Sequence, residues 1–181
     1  LAVEKILKKN VLVVGAGIKT GLNIRIDNPA QLGSDLVVDS VAAIVEYPAP
    51  LLIFDLGTAN TVCVIDKNKN YIGGMIYPGI GVSLDSLTAH ASQLGGISIE
   101  APEHMIGKNT TECMKSGLIY SSAAAMDGII DRLQEQLGGE ATVIATGGLA
   151  KKIVPHCRRE IILDDDLLLK GLAIIYKKNR K

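Results

Sequence analysis

Apolar positions along this chain fall into two patterns, short continuous runs and runs at helical spacing. The opening LAVEKILKKN reads as a helix feeding Val11–Val14, a β-branched run closed by Gly-Ala-Gly that predicts a strand. The stretch KTGLNIRIDNPAQLGSD carries Gly21, Asn28-Pro29 and Gly33 and predicts a long, exposed loop. After Asp35, the residues Leu36, Val37, Ser40, Val41 and Ile44 repeat at helical spacing, so Asp35 stands at or near a helix N-terminus. Pro48 and Pro50 break the pattern, and the boundary between two units, 1–49 and 50–181, is placed there.

The second unit opens with a buried strand, Leu51–Asp55. Two further runs, 61–66 and 71–76, flank the polar Lys-Asn-Lys-Asn turn and predict a hairpin. Ser83 then enters an apolar helix, and Thr110–Leu137 reads as one long helix stopped by Gly138-Gly139. Thr110 itself reads as that helix's N-cap. Thr142–Ala145 is the next strand, and 165–176 is a terminal helix with Leu167, Leu168, Gly171, Leu172 and Ile175 on one face. Hairpin strands followed by helices predict an α/β or α+β fold rather than a bundle or barrel. The order lacks Rossmann alternation, and neither G-x-G-x-x-G opening a helix nor G-x-x-x-x-G-K-[ST] is present.

Chemistry concentrates where two strands end in glycine. FDLGT places Asp55, Gly57 and Thr58 at one sheet edge, and VIATGG places Gly147 and Gly148 at another. Glycine lets backbone N–H groups approach a phosphate, so a nucleotide held between the two strand ends is expected. Composition permits this and little that is exotic. The 181 residues are 48% hydrophobic with 19 basic and 19 acidic side chains, which supplies no electrostatic footprint for nucleic acid or an anionic membrane. No apolar run is long enough to span a bilayer and no signal peptide is visible, so a cytoplasmic location is expected. Cys63, Cys113 and Cys157 are too scattered for a disulfide framework or a zinc site. The first residue is Leu, within a helix that feeds a strand, and further sequence upstream is expected.

With these residues in view the chain resembles the type III pantothenate kinases, a family also described as Bvg accessory factor-like. The resemblance runs in order through VVGAGIKTGLNIRIDNP, LGSDLVVDSVAA, FDLGTANT, YIGGMIYPGIGVSLDSL, MIGKNTTECMKSGLIY, VIATGGLA and DLLLKGLAIIY. It implies the fold of the sugar kinase, heat-shock protein and actin superfamily, built from two RNase H-like domains. Residues 1–49 would then end the first domain, and 50–181 would form the second. The implied reaction is ATP-dependent phosphorylation of pantothenate, the first step toward coenzyme A, with Mg2+ and a monovalent cation (K+ or NH4+) as cofactors in a homodimer. Carried over residue by residue, Asp35 is the general base. Gly33, Ser34, Leu36 and Thr110 fall on substrate-binding positions, and Gly57, Thr58, Gly147 and Gly148 on ATP-binding ones. Asp55 falls on the cation ligand.

The chain departs from the family pattern in three places. The first-strand Asp-x-Gly-Asn-Thr phosphate loop is not in it, and Leu36 and Ile26 stand where the family has arginine and tyrosine. The chain alone is therefore expected to be inactive, since preorganised phosphate donors matter strongly to rate. The rival is a diverged, non-enzymatic nucleotide-binding or regulatory paralogue on the same fold. Plainer roles are expected elsewhere. Asp35 is equally well a helix N-cap, Asp39 a solvated helix residue, and Asp164 to Asp166 the acidic start of the last helix. His90 and His104 are read as surface residues, and His156-Cys157 lacks metal-site spacing.

Overall fold

A computed structural model describes residues 2–180. In chain order the elements are α1 (Ala2–Leu7), β1 (Asn23–Ile24), α2 (Ser34–Glu46), β2 (Leu51–Leu56), β3 (Ala59–Ile65) and β4 (Asn70–Pro78). There follow α3 (Ile80–His90), α4 (Thr110–Leu137), β5 (Thr142–Thr146), α5 (Ala150–Ile153), β6 (Ile162–Leu163) and α6 (Leu167–Asn179). The strands form one sheet in the order β1-β4-β3-β2-β5-β6. Only β3 runs against its neighbours, pairing antiparallel with both β2 and β4. A mixed sheet of this kind with helices on both faces bears out the α/β class.

Strand alternation sorts the core into two faces. Leu52, Phe54 and Leu56 of β2 pack with Met114, Ile119, Met126 and Ile130 of α4 and with Ile80 and Leu84 of α3. Leu51 and Ile53 point the other way, against Ala42 and Ala43 of α2 and Leu167 of α6. Helices α2 and α6 cross closely because Gly171 has no side chain: a Cβ there would run into the Val38 carbonyl. Burying each of the larger apolar side chains contributes about 1.5–3 kcal/mol. The long helix α4 survives two internal glycines for that reason. Its end is set locally by Gly138, which takes a left-handed φ of 76° and closes the last turn with N–H bonds to the Gln134 and Glu135 carbonyls.

Several expectations need correction. Residues 11–14 form no strand. A β-branched run becomes a strand only when another backbone offers a ladder, and here Leu12 and Val13 stay exposed. The segment expected as pure loop instead supplies β1, which adds in parallel to the β4 edge at Asn23↔Asn70 and Ile24↔Tyr71, and a 3-10 turn at Pro29–Gln31. Helix α3 starts at Ile80 rather than at Ser83, because the Gly79 N–H is tied to the Thr58 carbonyl (3.0 Å) and Gly79 becomes the cap. The N-cap of α4 is Asn109, whose side chain accepts from the Glu112 N–H at 2.9 Å, so Thr110 is one residue inside. Likewise Gly33, not Asp35, caps α2.

Two acidic residues are less bland than their local sequence implied. Asp39 is only 2% exposed rather than solvated, because α2 lies flat on the sheet and turns that side inward. Asp164, at 5% exposure, is no simple helix start. It accepts hydrogen bonds from the Tyr47 hydroxyl and from Lys170 Nζ, each at 2.7 Å, and Lys170 also reaches Glu46 at 2.9 Å. This cluster fastens the end of α2 to the start of α6.

Candidate active site

The polar residues converge at the C-terminal ends of β2 and β5, the edge where ligands bind in open α/β sheets. Register places Thr61 of β3 and Thr146 of β5 directly beside Asp55. By alternation all three share the face that α2 covers. Cross-strand neighbours on one face lie about 4.5–5.5 Å apart at Cβ, so Asp55 stands in a row of hydroxyls. Thr146 is 5% exposed, and Thr61 Oγ1 is buried without a hydrogen-bond partner among the described residues.

The two glycine loops are stitched together at this edge. The Leu149 N–H donates to the Leu56 carbonyl at 3.2 Å, and the Gly147 carbonyl accepts from the Ala150 N–H at 3.1 Å. Gly147 adopts φ +92°, and a side chain there would meet the Asp55 carboxylate and the Leu56 backbone nitrogen at 2.6 Å. Only glycine satisfies both demands. Gly57, Thr58, Gly147 and Gly148 are thereby gathered at one lip, with Thr58 and Gly148 open to solvent.

Over this edge stands the N-terminal half of α2. Asp35 lies in its first turn, exposed, with Oδ1 accepting from the Leu36 N–H at 2.9 Å. Asp39 follows one turn later on the same side of the helix. Its carboxyl is pushed up to about 7, first by burial and then by the charges of Asp55, Asp35 and Asp164. Burial also raises Asp55, with the Asp35 charge adding to it. Asp39 Oδ1 has no hydrogen-bond partner among the described residues. The sequence reading missed Asp39 and Thr61. The i, i+4 spacing from Asp35 could have flagged the first; the second needs the β2–β3 register.

The substrate-side residues divide. Gly33 and Leu36 line a cavity of about 510 Å³ with Ile26, between the β1 loop and the β4 edge. Ser34 is exposed beside it. Thr110 is not brought to that cavity. It lines a different groove, about 770 Å³, between α3 and α4. Among the described residues no three His, Cys, Asp or Glu side chains converge to hold a metal, and no helix is long and apolar enough to cross a membrane. His90 and His104 are exposed, while His156 makes an edge-to-face contact with Tyr120.

Comparison with known proteins assigns the chain to a family. A family model described as type III pantothenate kinase matches residues 1–132. A type III pantothenate kinase of an Exiguobacterium species is 46% identical over 170 residues, 94% of this chain and 66% of its own length. That of Bacillus cytotoxicus is 46% identical over 176 residues, 97% of this chain and 67% of its own. The chain thus spans about two thirds of the length of these relatives. By structure it aligns with a conserved Baf family protein from Campylobacter jejuni at TM-score 0.58 and 19% identity, over 98% of this chain and 88% of that one. At that identity the likeness is one of fold. Sequence identity and the family model together are decisive: the chain belongs to the type III pantothenate kinase family.

Proposed function

We propose that this chain takes part in ATP-dependent phosphorylation of pantothenate to 4'-phosphopantothenate, the first step of coenzyme A biosynthesis. The observation that carries the reading is the convergence at one sheet edge of Asp55, the two stitched glycine loops and, above them, Asp35. The phosphates would lie along Gly57-Thr58, where backbone N–H groups and the Thr58 hydroxyl face them, and the adenosine would lie against Gly147-Gly148. Asp35, exposed and fixed on a helix turn, accepts the proton of the acceptor's primary alcohol as the phosphoryl group transfers in line. Mg2+ bound with the nucleotide would supply charge neutralisation of the phosphates.

A monovalent cation fits the row at Asp55. The carboxylate is half-buried and the neighbouring Thr61 Oγ1 is an oxygen in want of a partner, the hard oxygen set that K+ or NH4+ accepts. The same reading places the protein in the cytoplasm as a homodimer, a second copy completing the substrate pocket. The separation of Thr110 from Gly33 within one chain supports that part. We also place the domain boundary at Pro48–Pro50.

The test is phosphoryl transfer from ATP to pantothenate, with Mg2+ and K+, by the protein that carries this chain, beside its Asp35→Asn variant. Turnover that falls at least a hundredfold in the variant supports the reading. No turnover with ATP binding retained would replace it with the regulatory paralogue.

A further inference from the structure

Asp35 and Asp55 lie on opposite sides of the boundary placed at Pro48–Pro50, so their alignment depends on how α2 is seated on the second unit. One hold is a close approach: the Val38 carbonyl lies against Gly171 of α6, where even a Cβ would not fit. Ala42 and Ala43 pack on Leu51 and Ile53 around that point. Such contact is non-directional, and a second fixed point is needed to set the helix axis. The far end of α2 supplies it. There the Tyr47 hydroxyl and Lys170 Nζ both donate to Asp164 Oδ2 at 2.7 Å, and Lys170 also pairs with Glu46 at 2.9 Å. The exposed Lys69 Nζ adds a bond to the Ile44 carbonyl at 3.0 Å. Asp164 is 5% exposed, so water competes poorly for its bonds. Glu46 and Tyr47 precede the boundary, whereas Asp164 and Lys170 follow it.

We infer that the Tyr47–Asp164–Lys170–Glu46 cluster is a positioning device for the candidate site: it sets the direction of α2 and thereby holds Asp35 over the edge formed by β2 and β5. The inference rests on the reading of Asp35 as the proton acceptor and deepens it, by naming the residues that keep that acceptor in place. Lever geometry gives the size of the effect. At about 1.5 Å of rise per residue, Asp35 stands about 4.5 Å to one side of the Val38 contact and Tyr47 about 13.5 Å to the other. Opening the cluster by about 3 Å, the reach of one inserted water, swings Asp35 by about 1 Å, and a displacement of that size can cost about a hundredfold in rate.

The test measures ATP-to-pantothenate phosphoryl transfer by the protein that carries this chain, and the calorimetric affinity of a non-hydrolysable ATP analogue, in Lys170→Met, Tyr47→Phe and Lys170→Arg. Lys170→Met should lower kcat about tenfold or more, and Tyr47→Phe about threefold. The analogue's dissociation constant should stay within about twofold of the parent's in both, because Gly57, Thr58, Gly147 and Gly148 all belong to the second unit. Lys170→Arg, which keeps a donor for both carboxylates, should stay near the parent rate. Tyr47→Phe removes a bond and leaves every side-chain charge at neutral pH in place, so it separates position from charge and serves even where Lys170→Met does not fold. Parent-like kcat in Tyr47→Phe overturns the inference while the proposed function stands. So does a loss of analogue affinity in step with the fall in kcat, the mark of a general loosening of the fold. An inactive parent overturns the proposed function, and this inference with it.

Discussion

Replacing Asp39 by asparagine should stabilise this protein, and do so more at high pH than at low. The side chain is 2% exposed and has one oxygen without a partner among the described residues. Burial, with Asp55, Asp35 and Asp164 nearby, carries its carboxyl from an ordinary 3.8 to about 7. Below about pH 4 the folded and unfolded chains both hold the proton, and there is no cost. As pH rises the unfolded chain releases it first and the folded chain later, so stability falls until the folded group has also ionised near pH 7. The full penalty is on the order of 4 kcal/mol, and roughly 2–3 kcal/mol of it develops between pH 5 and pH 8. Asparagine keeps the shape and removes the ionisation. Urea unfolding of both proteins at pH 5, 6, 7 and 8 isolates the effect, because most other titrations cancel in the difference. The Asp39→Asn stability curve should lose about 2–3 kcal/mol less than the parent between those limits. For a chain of this size each kcal/mol moves the melting temperature by about 2–4 °C. Parallel curves would refute the reasoning, since they would mean that Asp39 is already ionised at pH 5 or is solvated in the folded state.

Other perturbations test the rest of the site. Gly147→Ala should cost on the order of 2–3 kcal/mol and weaken nucleotide binding, since it adds a side chain at φ +92° against Leu56; Gly148→Ala, with open space around it, should change stability by less than about 0.5 kcal/mol, both read by denaturant titration. Lys170→Met removes the cation that holds the buried Asp164 and should destabilise the protein at neutral pH. Burial alone would raise Asp164, but its bonds from Lys170 and Tyr47 outweigh that and hold it low. The gap between parent and variant in chemical unfolding should therefore close as pH falls through the folded pKa of Asp164. Thr61→Val removes a hydroxyl that has no partner among the described residues, so it should be near neutral for stability in choline chloride. It should also lose most of the melting-temperature rise that KCl produces in the parent; an undiminished rise would place the cation elsewhere.

Where the signal was local, the sequence was sufficient. Glycine-marked strand ends, the Asp55-x-Gly-Thr58 run and the uninterrupted apolar spacing of 110–137 could be read directly, because each element's own residues specify it. Errors arose where the outcome depended on a distant backbone. Residues 11–14 have strand composition but no ladder to join, while the less promising Asn23-Ile24 pair becomes a strand because β4 offers its edge. The start of α3 moved because Gly79 is held by Thr58, some twenty residues earlier in the chain. Cap positions failed by a residue because Asn109 and Thr110 are both good caps in isolation, and only backbone geometry chooses between them.

By itself, the sequence determined the α/β class, the family, and which strand ends carry glycine. Tertiary structure alone decided what those residues face. Folding α2 flat on the sheet turned Asp39 from a helix-surface residue into a buried acid beside Asp55. Strand register brought Thr61 and Thr146 to either side of that aspartate. It also left Thr110 in a groove apart from the residues with which the sequence had grouped it. The physical reason is common to all three. Periodicity specifies which side of an element is apolar, but the electrostatic environment of a side chain depends on which other element lies across from it.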